Sequence, residues 1–251
     1  MLALITGASS GMGRDMARIL AKKGYDLILV ARRRDRLAEL KKELNTNITI
    51  IAMDLSIPDN NYKLYEKVKS KKIDVLINNA GFGLFGEFFK TDLDTELNMI
   101  ELNVKSYHIL TKLFLKDFIR RDAGYILNVC SSAGFMAGPR MATYYATKNY
   151  ITKLTMAINE ELRVAKSHVT ISALCPGPVA TEFNEVAHGT FAIREASSYE
   201  VAKYAIDKLF KRKMIIVPTF LMKLTLFFNR LAPYRLSLYI AYKIQKRKER
   251  N

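Results

Sequence analysis

The stretch that decides the fold is residues 2–13, which read LALITGASSGMG. A short apolar run passes directly into a loop with glycines at positions 7, 11 and 13, and a helical pattern follows over Arg14 to Lys22. Glycines at such a turn let backbone amides and the start of the helix approach a phosphate group. A plain strand-to-helix turn is the simpler interpretation, but three glycines between a buried strand and a helix favour dinucleotide binding.

Beyond this loop, short β-rich runs alternate with longer amphipathic segments to about residue 217. The predicted strands are Leu2 to Thr6, Leu27 to Ala31, Ile48 to Met53, Ile73 to Asn78, Tyr125 to Cys130, Val169 to Leu174 and Met214 to Val217. Each is a continuous Ile/Leu/Val-rich run, which is typical of parallel strands covered on both faces. We therefore predict an α/β fold over residues 1–217, a single doubly wound Rossmann-type parallel sheet flanked by helices on both faces.

Composition and charge exclude several classes of protein. With 49% hydrophobic and 25% charged residues, the 251-residue chain has the composition of a globular protein. The net charge of +16 lies mostly in residues 201–251, which hold 13 Lys and Arg against 2 Asp and Glu, so we expect no nucleic-acid partner. Two distant cysteines, Cys130 and Cys175, and the lack of a signal peptide predict a reducing, cytoplasmic setting. His108, His168 and His188 form no spaced cluster with them, so we expect no metal.

Polar and glycine motifs follow the predicted strands in a fixed order. They are Thr6-Gly7 with Gly11 and Gly13, Asp54, Asn78-Asn79-Ala80-Gly81, Asn103, Ser131, Tyr144 with Lys148, and Pro176-Gly177. In this order and in these strand-to-loop positions, the sequence resembles the short-chain dehydrogenase/reductase family. The resemblance covers nearly the whole predicted domain and implies an oxidoreductase that interconverts a ketone and a secondary alcohol.

The Tyr144 and Lys148 pair carries the predicted acid-base chemistry. Their spacing of four residues places both side chains on one face of a helix. A tyrosine normally titrates near ~10, and an adjacent cation favours the phenolate, so we expect Lys148 to lower the pKa of Tyr144. Tyr145, three residues before Lys148, fits the same geometry, and the resemblance selects Tyr144. It also implies that Ser131 bonds the substrate carbonyl oxygen and that Asn103 holds a water in a proton relay.

The resemblance further implies a bound nicotinamide dinucleotide. The implied cofactor-binding residues are Gly7, Ser9, Ser10, Gly11, Met12, Gly13, Arg32, Arg33, Asp54, Asn79, Gly81, Tyr144, Lys148, Pro176, Gly177 and Thr181. Asp54 is expected at the adenine edge, and Thr181 at the nicotinamide carboxamide. We expect Asn78 to be structural, and a packing role for Asn79 stays open.

The end of the second strand predicts which dinucleotide is preferred. It reads Ala31-Arg32-Arg33-Arg34, so the position where an acid would bond the ribose hydroxyls is Ala31. The Arg32 guanidinium suits a 2′-phosphate, which favours NADP(H) over NAD(H). Alternatively, these arginines only decorate the loop before the next helix.

Apolar side chains in the loops around the implied site predict a hydrophobic substrate, such as a long-chain 3-oxoacyl compound, a ketosphingoid base or a steroid. They are Phe82, Phe85, Phe88, Phe89, Phe135, Met136, Met141, Phe183 and Phe191. The family resemblance also implies a homodimer or homotetramer. The alternative function is a noncatalytic, NADP-binding or membrane-associated regulatory protein that retains the fold.

Residues 218–251 extend beyond the last predicted strand as an apolar, basic helical segment. The runs Phe220 to Phe228 and Leu236 to Ile244 are separated by Pro233 and followed by Lys246-Arg247-Lys248. No uncharged stretch reaches the ~20 residues that a membrane span needs. The segment is expected to bind the inner membrane surface peripherally, to form a dimer contact or lid, or to cover the core.

Overall fold

The computed structural model describes residues 1–183 and 195–246 and contains one seven-stranded parallel sheet within them. The strands are β1 Leu2–Thr6, β2 Asp26–Ala31, β3 Ile48–Ala52, β4 Val75–Asn78, β5 Tyr125–Val129, β6 Thr170–Leu174 and β7 Ile215–Ile216. Their order across the sheet is β3-β2-β1-β4-β5-β6-β7, and each neighbouring pair is parallel. This confirms the predicted fold class and each predicted strand.

Helices connect the strands and cover both faces of the sheet. They are α1 Gly11–Lys22, α2 Arg34–Glu43, α3 Pro58–Val68, α4 Leu93–Ile100, α5 Tyr107–Arg120, α6 Ala142–Val164, α7 Ser198–Phe210, α8 Phe220–Leu231 and α9 Tyr234–Lys246. A π-helical segment, Glu101–Ser106, joins α4 to α5, and a short 3₁₀ helix, Ser132–Phe135, follows β5.

The alternating side chains of the central strands explain the two helical layers. Ile5 and Leu29 pack on one face with residues of α1 and α7, whereas Leu4 and Ile28 pack on the other with residues of α3 and α5. A parallel strand buried on both faces must be apolar at every position, which is why these runs show no polar alternation.

The sheet order reverses at β1, so the chain leaves β1 and β4 in opposite directions. The loops that follow these two strands lie at the carboxyl edge of the sheet, on either side of a crevice. In open parallel sheets this is the place where ligands bind.

The sequence also predicts an N-cap at Ser198 for the helix that follows it and a cap of the sixth strand by His168, and both predictions are wrong. The N-cap of α7 is Ser197 rather than Ser198, because Ser197 has the extended backbone that an N-cap needs and its hydroxyl accepts a hydrogen bond from the amide of Glu200. His168 does not cap β6, because its ring and its amide both bond the Asp122 carboxylate.

The C-terminal helices agree with the predicted runs. Pro233 separates α8 from α9, as the sequence indicates. Among residues 1–183 and 195–246, no helix has the length and apolarity to cross a membrane.

Candidate active site

The glycine loop between β1 and α1 is shaped to receive an anionic group. Gly7 and Gly11 have φ angles of +64° and +49°, which residues with a side chain rarely adopt. A Cβ at Gly13 would lie 2.3 Å from the carbonyl oxygen of Gly7, so only glycine fits there. The N-cap Ser10 makes no side-chain cap bond to the first amides of α1, and the first turn contains no acid. The start of α1 therefore presents amide donors to a phosphate, as dinucleotide binding requires.

The loop after β4 is bonded to the glycine loop. Asn79 donates from its side-chain amide to the carbonyl oxygens of Thr6 and Gly7, both at 3.1 Å. The hydroxyl of Thr6 accepts hydrogen bonds from the amides of Asn79 and Ala80. Asn79 therefore has the packing role that the sequence left open, while also lining the crevice.

Asn78 is buried and structural, as predicted. Its amide nitrogen donates to the hydroxyl of Thr111 at 3.1 Å and to the side-chain oxygen of Asn128 at 2.9 Å. The bonds link β4 to α5 and to β5, so this residue fixes neighbouring elements rather than facing a ligand.

The two arginines after β2 point in different directions. Arg33 donates to the hydroxyl of Ser9 at 3.2 Å and to that of Ser10 at 2.9 Å, so its guanidinium lies on the glycine loop. Arg32 is 72% exposed and approaches the Asp54 carboxylate at 3.8 Å. The sequence predicts that both arginines bind the cofactor, with Arg32 at the 2′-phosphate. Of the two, Arg33 is the one that contacts the glycine loop.

Glu182 is a further residue at this end of the crevice, and it was missed from sequence. Its carboxylate pairs with Arg33 at 2.8 Å and with Arg36. Burial raises the pKa of Glu182, but the hydrogen bonds from the two arginines outweigh it and lower the pKa overall. A distant acid that pairs with a loop arginine leaves no local signal in the sequence.

Asp54 and Thr181 both line the crevice. The Asp54 carboxylate follows β3, accepts hydrogen bonds from the amide and hydroxyl of Ser56, and lines the crevice. Thr181 lies against the glycine loop, since a Cβ at Gly11 would come within 2.9 Å of its methyl carbon. Pro176 and Gly177 line the same crevice after β6, together with Met12.

Ser131, Tyr144 and Lys148 meet at the inner end of the crevice. Ser131 follows β5, and its hydroxyl oxygen accepts a hydrogen bond from the amide of Ala133 at 3.1 Å. Tyr144 and Lys148 lie one turn apart on α6, both buried. The ammonium of Lys148 donates to the carbonyl oxygen of Val129 at 2.9 Å and lies 5.9 Å from the centre of the Tyr144 ring.

The predicted effect of Lys148 on Tyr144 is corrected by this geometry. Burial raises the pKa of Tyr144, and the hydrogen bond that opposes this shift involves Ser131 rather than Lys148. Burial also lowers the pKa of Lys148 to about 8. The ammonium is directed at the Val129 carbonyl and not at the phenol, so in this arrangement desolvation dominates both groups.

Asn103 holds the loop after β4 against α6. It is fully buried in the π-helical segment and donates to the carbonyl oxygen of Phe82 at 2.8 Å and to the hydroxyl of Thr147 at 3.2 Å. Gly81 lies beside it, since a Cβ there would come 2.8 Å from the Asn103 oxygen and 3.6 Å from the Lys148 nitrogen. A local π-helix often marks a functional site. The water-holding role of Asn103 stays a prediction.

Tyr145 has a different environment from Tyr144. Its hydroxyl accepts a hydrogen bond from Gln245 of α9 at 2.9 Å, whereas the ring of Tyr144 lies 5.3 Å from that of Phe183. The two tyrosines therefore make different contacts, and Tyr144 is the one that lies beside Ser131 and Lys148.

The crevice forms one cavity of about 450 Å³ that runs from the glycine loop to the C-terminal helices. The C-terminal residues that line it, all missed from sequence, are Met222, Thr225, Ala241, Ile244 and Gln245. Of the predicted apolar residues, Phe82, Met136, Met141 and Phe183 line the cavity, and Phe85 and Phe135 pack in adjoining clusters.

Phe88 and Phe89 were wrongly placed at the site, because their side chains are 66% and 80% exposed. His188 and Phe191 lie outside the described residues. The resemblance implies a substrate lid over residues 182–197, and residues 184–194 of that range also lie outside the described residues.

Comparison with known proteins decides the family. The model of the short chain dehydrogenase family matches residues 1–190. The chain belongs to the short-chain dehydrogenase/reductase family. It is an oxidoreductase of the kind that interconverts alcohol and carbonyl groups, and the alternative of a noncatalytic protein is set aside.

Individual relatives and structures agree with this assignment. An uncharacterised oxidoreductase of Staphylococcus saprophyticus is 33% identical over 187 residues, covering 72% of this chain and 79% of the relative. The very-long-chain 3-oxoacyl-CoA reductase of Rattus norvegicus is 30% identical over 209 residues, covering 78% of this chain and 65% of that enzyme. A short-chain dehydrogenase from Sphingobium yanoikuyae, solved in complex with NADPH, matches with a TM-score of 0.81 at 28% identity, covering 87% of this chain and 88% of that chain.

Proposed function

We propose that this short-chain dehydrogenase/reductase uses NADP(H) to interconvert a ketone and a secondary alcohol on a hydrophobic substrate, with Tyr144 as the acid-base residue. One observation carries the proposal. Ser131, Tyr144 and Lys148 line the same cavity as the glycine loop, so a dinucleotide with its phosphates at the loop can reach the three side chains. The close contacts that a Cβ would make at Gly7, Gly11 and Gly13 support a loop shaped for such a ligand.

The three side chains have different roles at the substrate oxygen. A bound nicotinamide dinucleotide supplies or accepts the hydride. The hydroxyl of Ser131 would donate a hydrogen bond to the substrate oxygen and orient that oxygen toward Tyr144. Tyr144 gives its proton to that oxygen in reduction and removes a proton from the alcohol in oxidation. Lys148 places a positive charge behind the phenol, where it favours the phenolate once its ammonium turns from Val129 toward the ring.

NADP(H) is proposed over NAD(H) because β2 ends at Ala31 and arginines, rather than an acid, come directly after it. Arg33 lies on the hydroxyls of Ser9 and Ser10, and Arg32 lies beside it at the same edge of the crevice. Two guanidinium groups and two hydroxyls form a donor set that suits a 2′-phosphate. The NADPH complex of the Sphingobium dehydrogenase supports this preference.

A hydrophobic substrate is proposed from the walls of the cavity. Phe82, Met136, Met141, Phe183 and Met222 present carbon and sulfur atoms to it. Such adaptable apolar walls suit a long-chain 3-oxoacyl, ketosphingoid or steroid carbonyl. The similarity to a very-long-chain 3-oxoacyl-CoA reductase supports the first of these classes.

The C-terminal helices belong to this proposal. Residues 1–217 would form the catalytic domain and residues 218–251 an extension that completes the substrate cavity. The contact between Met222 and the loop at Gly177 supports this view, since a Cβ at Gly177 would lie 2.5 Å from the Met222 methyl carbon. We also propose a homodimer or homotetramer, which light scattering of the purified protein would test.

The experiment that tests the function is NADPH oxidation with a panel of long-chain 3-oxo compounds, ketosphingoid bases and ketosteroids. Tyr144→Phe should lower kcat at least about a hundredfold, because general acid-base catalysis contributes about 10²–10⁴ in rate. Tyr145→Phe is the matched control, because it removes only the hydrogen bond with Gln245. NADPH binding, followed by fluorescence, should be unchanged in both variants. If Tyr145→Phe were inactive and Tyr144→Phe active, the assignment would be wrong.

A further inference from the structure

The C-terminal hairpin, defined as α8 and α9, has the cavity on its inner side. Met222 and Thr225 of α8 and Ile244 and Gln245 of α9 line the cavity. Gln245 is almost fully buried, although its neighbours on α9 are exposed. The hairpin is therefore positioned by contact with the active-site residues and closes one side of the substrate cavity.

The opposite side of the hairpin presents apolar residues to solvent. The outer face of α8 consists of Phe220, Leu221, Leu224, Phe227, Phe228 and Leu231. Their side chains are between 39% and 74% exposed. Helical spacing places all six on one continuous stripe, opposite Met222 and Asn229. A stripe of three phenylalanines and three leucines on the surface marks an interaction site rather than ordinary surface.

Positive charge accompanies this apolar face. Lys223 and Arg230, seven residues apart, lie on one edge of the stripe, and α9 adds Arg235, Lys243 and Lys246. Residues 218–248 contain seven Lys and Arg and no Asp or Glu. The side chain of Lys223 lies near the hydroxyl of Tyr204 at 3.4 Å, where α8 meets α7. The hairpin thus combines exposed aromatic and aliphatic side chains with positively charged ones and contains no acidic residue.

We propose that the outer face of the C-terminal hairpin docks on the surface of an anionic lipid bilayer. Phe227 and Phe228 would enter the boundary between headgroups and acyl chains, and Lys223 and Arg230 would lie among the anionic headgroups. The two hairpin helices, of 12 and 13 residues, are too short to span a bilayer, so the hairpin would lie in the plane of the membrane surface.

Charge distinguishes this occupant from a second copy of the chain. In a symmetric dimer the same patch meets itself, so the cations at the edge of one stripe would face those of the other, with no acid in the hairpin to pair with them. An anionic bilayer supplies the missing negative charge together with an apolar phase.

If this face docks on a membrane, the substrate comes from the lipid bilayer. This inference rests on the proposed function. Because the inner side of the same hairpin lines the substrate cavity, membrane contact places the wall of that cavity at the lipid surface. The substrate class is then a lipid ketone or secondary alcohol that resides in the bilayer, rather than a water-soluble metabolite.

Cosedimentation of the full chain with vesicles tests the docking without cofactor or substrate. The probes are vesicles of phosphatidylcholine alone and of phosphatidylcholine with phosphatidylglycerol. We expect at least about tenfold stronger binding to the anionic vesicles, and a loss of binding as salt rises, because salt screens the headgroup attraction. Wild-type protein that stays in the supernatant with anionic vesicles at low salt would overturn the proposal.

Variants locate the contact. Phe227→Ser with Phe228→Ser should weaken vesicle binding about tenfold or more, and Arg230→Gln should reduce the salt dependence. Ile57→Ser with Tyr62→Ser is the matched control, because these residues of the α3 region are also about half exposed. Equal binding by the hairpin variant and the control would refute the location. If the wild type is a dimer that does not bind vesicles, and the hairpin variant is a monomer, then a second copy of the chain covers this face.

Turnover separates failure of the docking from failure of the proposed function. The hairpin variant should lose about tenfold in rate on a long-chain ketone embedded in vesicles, and keep its rate within about twofold on a short, water-soluble ketone. An equal loss on both ketones would contradict delivery from the membrane. If the wild type reduces no ketone, the proposed function fails, and cosedimentation alone decides the docking.

Discussion

Replacing Lys148 by methionine should stabilise this protein while it abolishes turnover. The ammonium is buried, and burial lowers its pKa from 10.5 to about 8. Since one pKa unit corresponds to ~1.4 kcal/mol, keeping this group protonated at pH 7 costs the folded state about 3 kcal/mol. Methionine has similar length and carries no charge. The lysine therefore reduces stability in exchange for a cation at the active site.

The lost hydrogen bond to Val129 reduces the expected gain. The carbonyl oxygen of Val129 also accepts a hydrogen bond from the hydroxyl of Tyr107 at 3.2 Å, so it is not left unpaired in the variant. Allowing about 1 kcal/mol for the removed bond leaves a net gain of about 2 kcal/mol at pH 7. For a chain of this size, that gain raises Tm by roughly 4–8 °C.

The pH dependence has a defined sign. Because the folded pKa lies below the unfolded one, the unfolded chain binds more protons between about pH 8 and 10.5, and wild-type stability gains from rising pH across that window. The difference in unfolding free energy between Lys148→Met and wild type should therefore shrink as pH rises from 7 to 10. At pH 10 burial of the Lys148 amine costs the folded state only about 1 kcal/mol.

Thermal unfolding of the cofactor-free proteins at pH 7 and pH 10 measures both effects. Lys153→Met is the matched control, because Lys153 is exposed on the same helix, and its change in stability should stay within about 0.5 kcal/mol. If Lys148→Met melts below wild type at pH 7, or if the difference does not shrink with pH, burial does not penalise this ammonium as argued.

The remaining predictions concern the dinucleotide end of the cleft. Arg33→Ala should weaken NADPH binding about ten- to a hundredfold and NADH binding much less, because it removes a charge-assisted bond of about 1.5–3 kcal/mol. Arg32→Ala, tested in parallel, measures the share of the more exposed arginine, and equal losses for NADPH and NADH in both variants would contradict the preference. Gly13→Ala should lower the affinity for either dinucleotide more than about tenfold, since its Cβ would lie 2.3 Å from a backbone oxygen. Titration of cofactor fluorescence measures these affinities, and unchanged binding by Gly13→Ala would show that the loop adapts.

The fold was predictable because each element depends on local sequence. The seven continuous apolar runs became the seven strands within two residues of their predicted bounds, and Pro233 marks the break between α8 and α9. The glycines at 7, 11 and 13 were informative for the same reason, since positive φ angles and a close backbone contact leave few alternatives to glycine.

The parts that the sequence did not reveal depend on long-range contacts. Whether Arg32 or Arg33 reaches the glycine loop is set by the position of Glu182, far along the chain. The contribution of Gln245 to the cavity has no local signal, because a lone glutamine in a basic helix is usually exposed. Likewise, the pKa of Tyr144 follows from burial that only the folded protein defines.

The cleft draws its walls from both ends of the described chain, with Gly7 on one side and Gln245 on the other. During synthesis α9 follows the sheet and α6, so a ribosome that has made those elements has not yet made every wall of the pocket. A message broken shortly before residue 234 would yield a chain with its Rossmann sheet, its glycine loop and its tyrosine, yet with a substrate site open on one side.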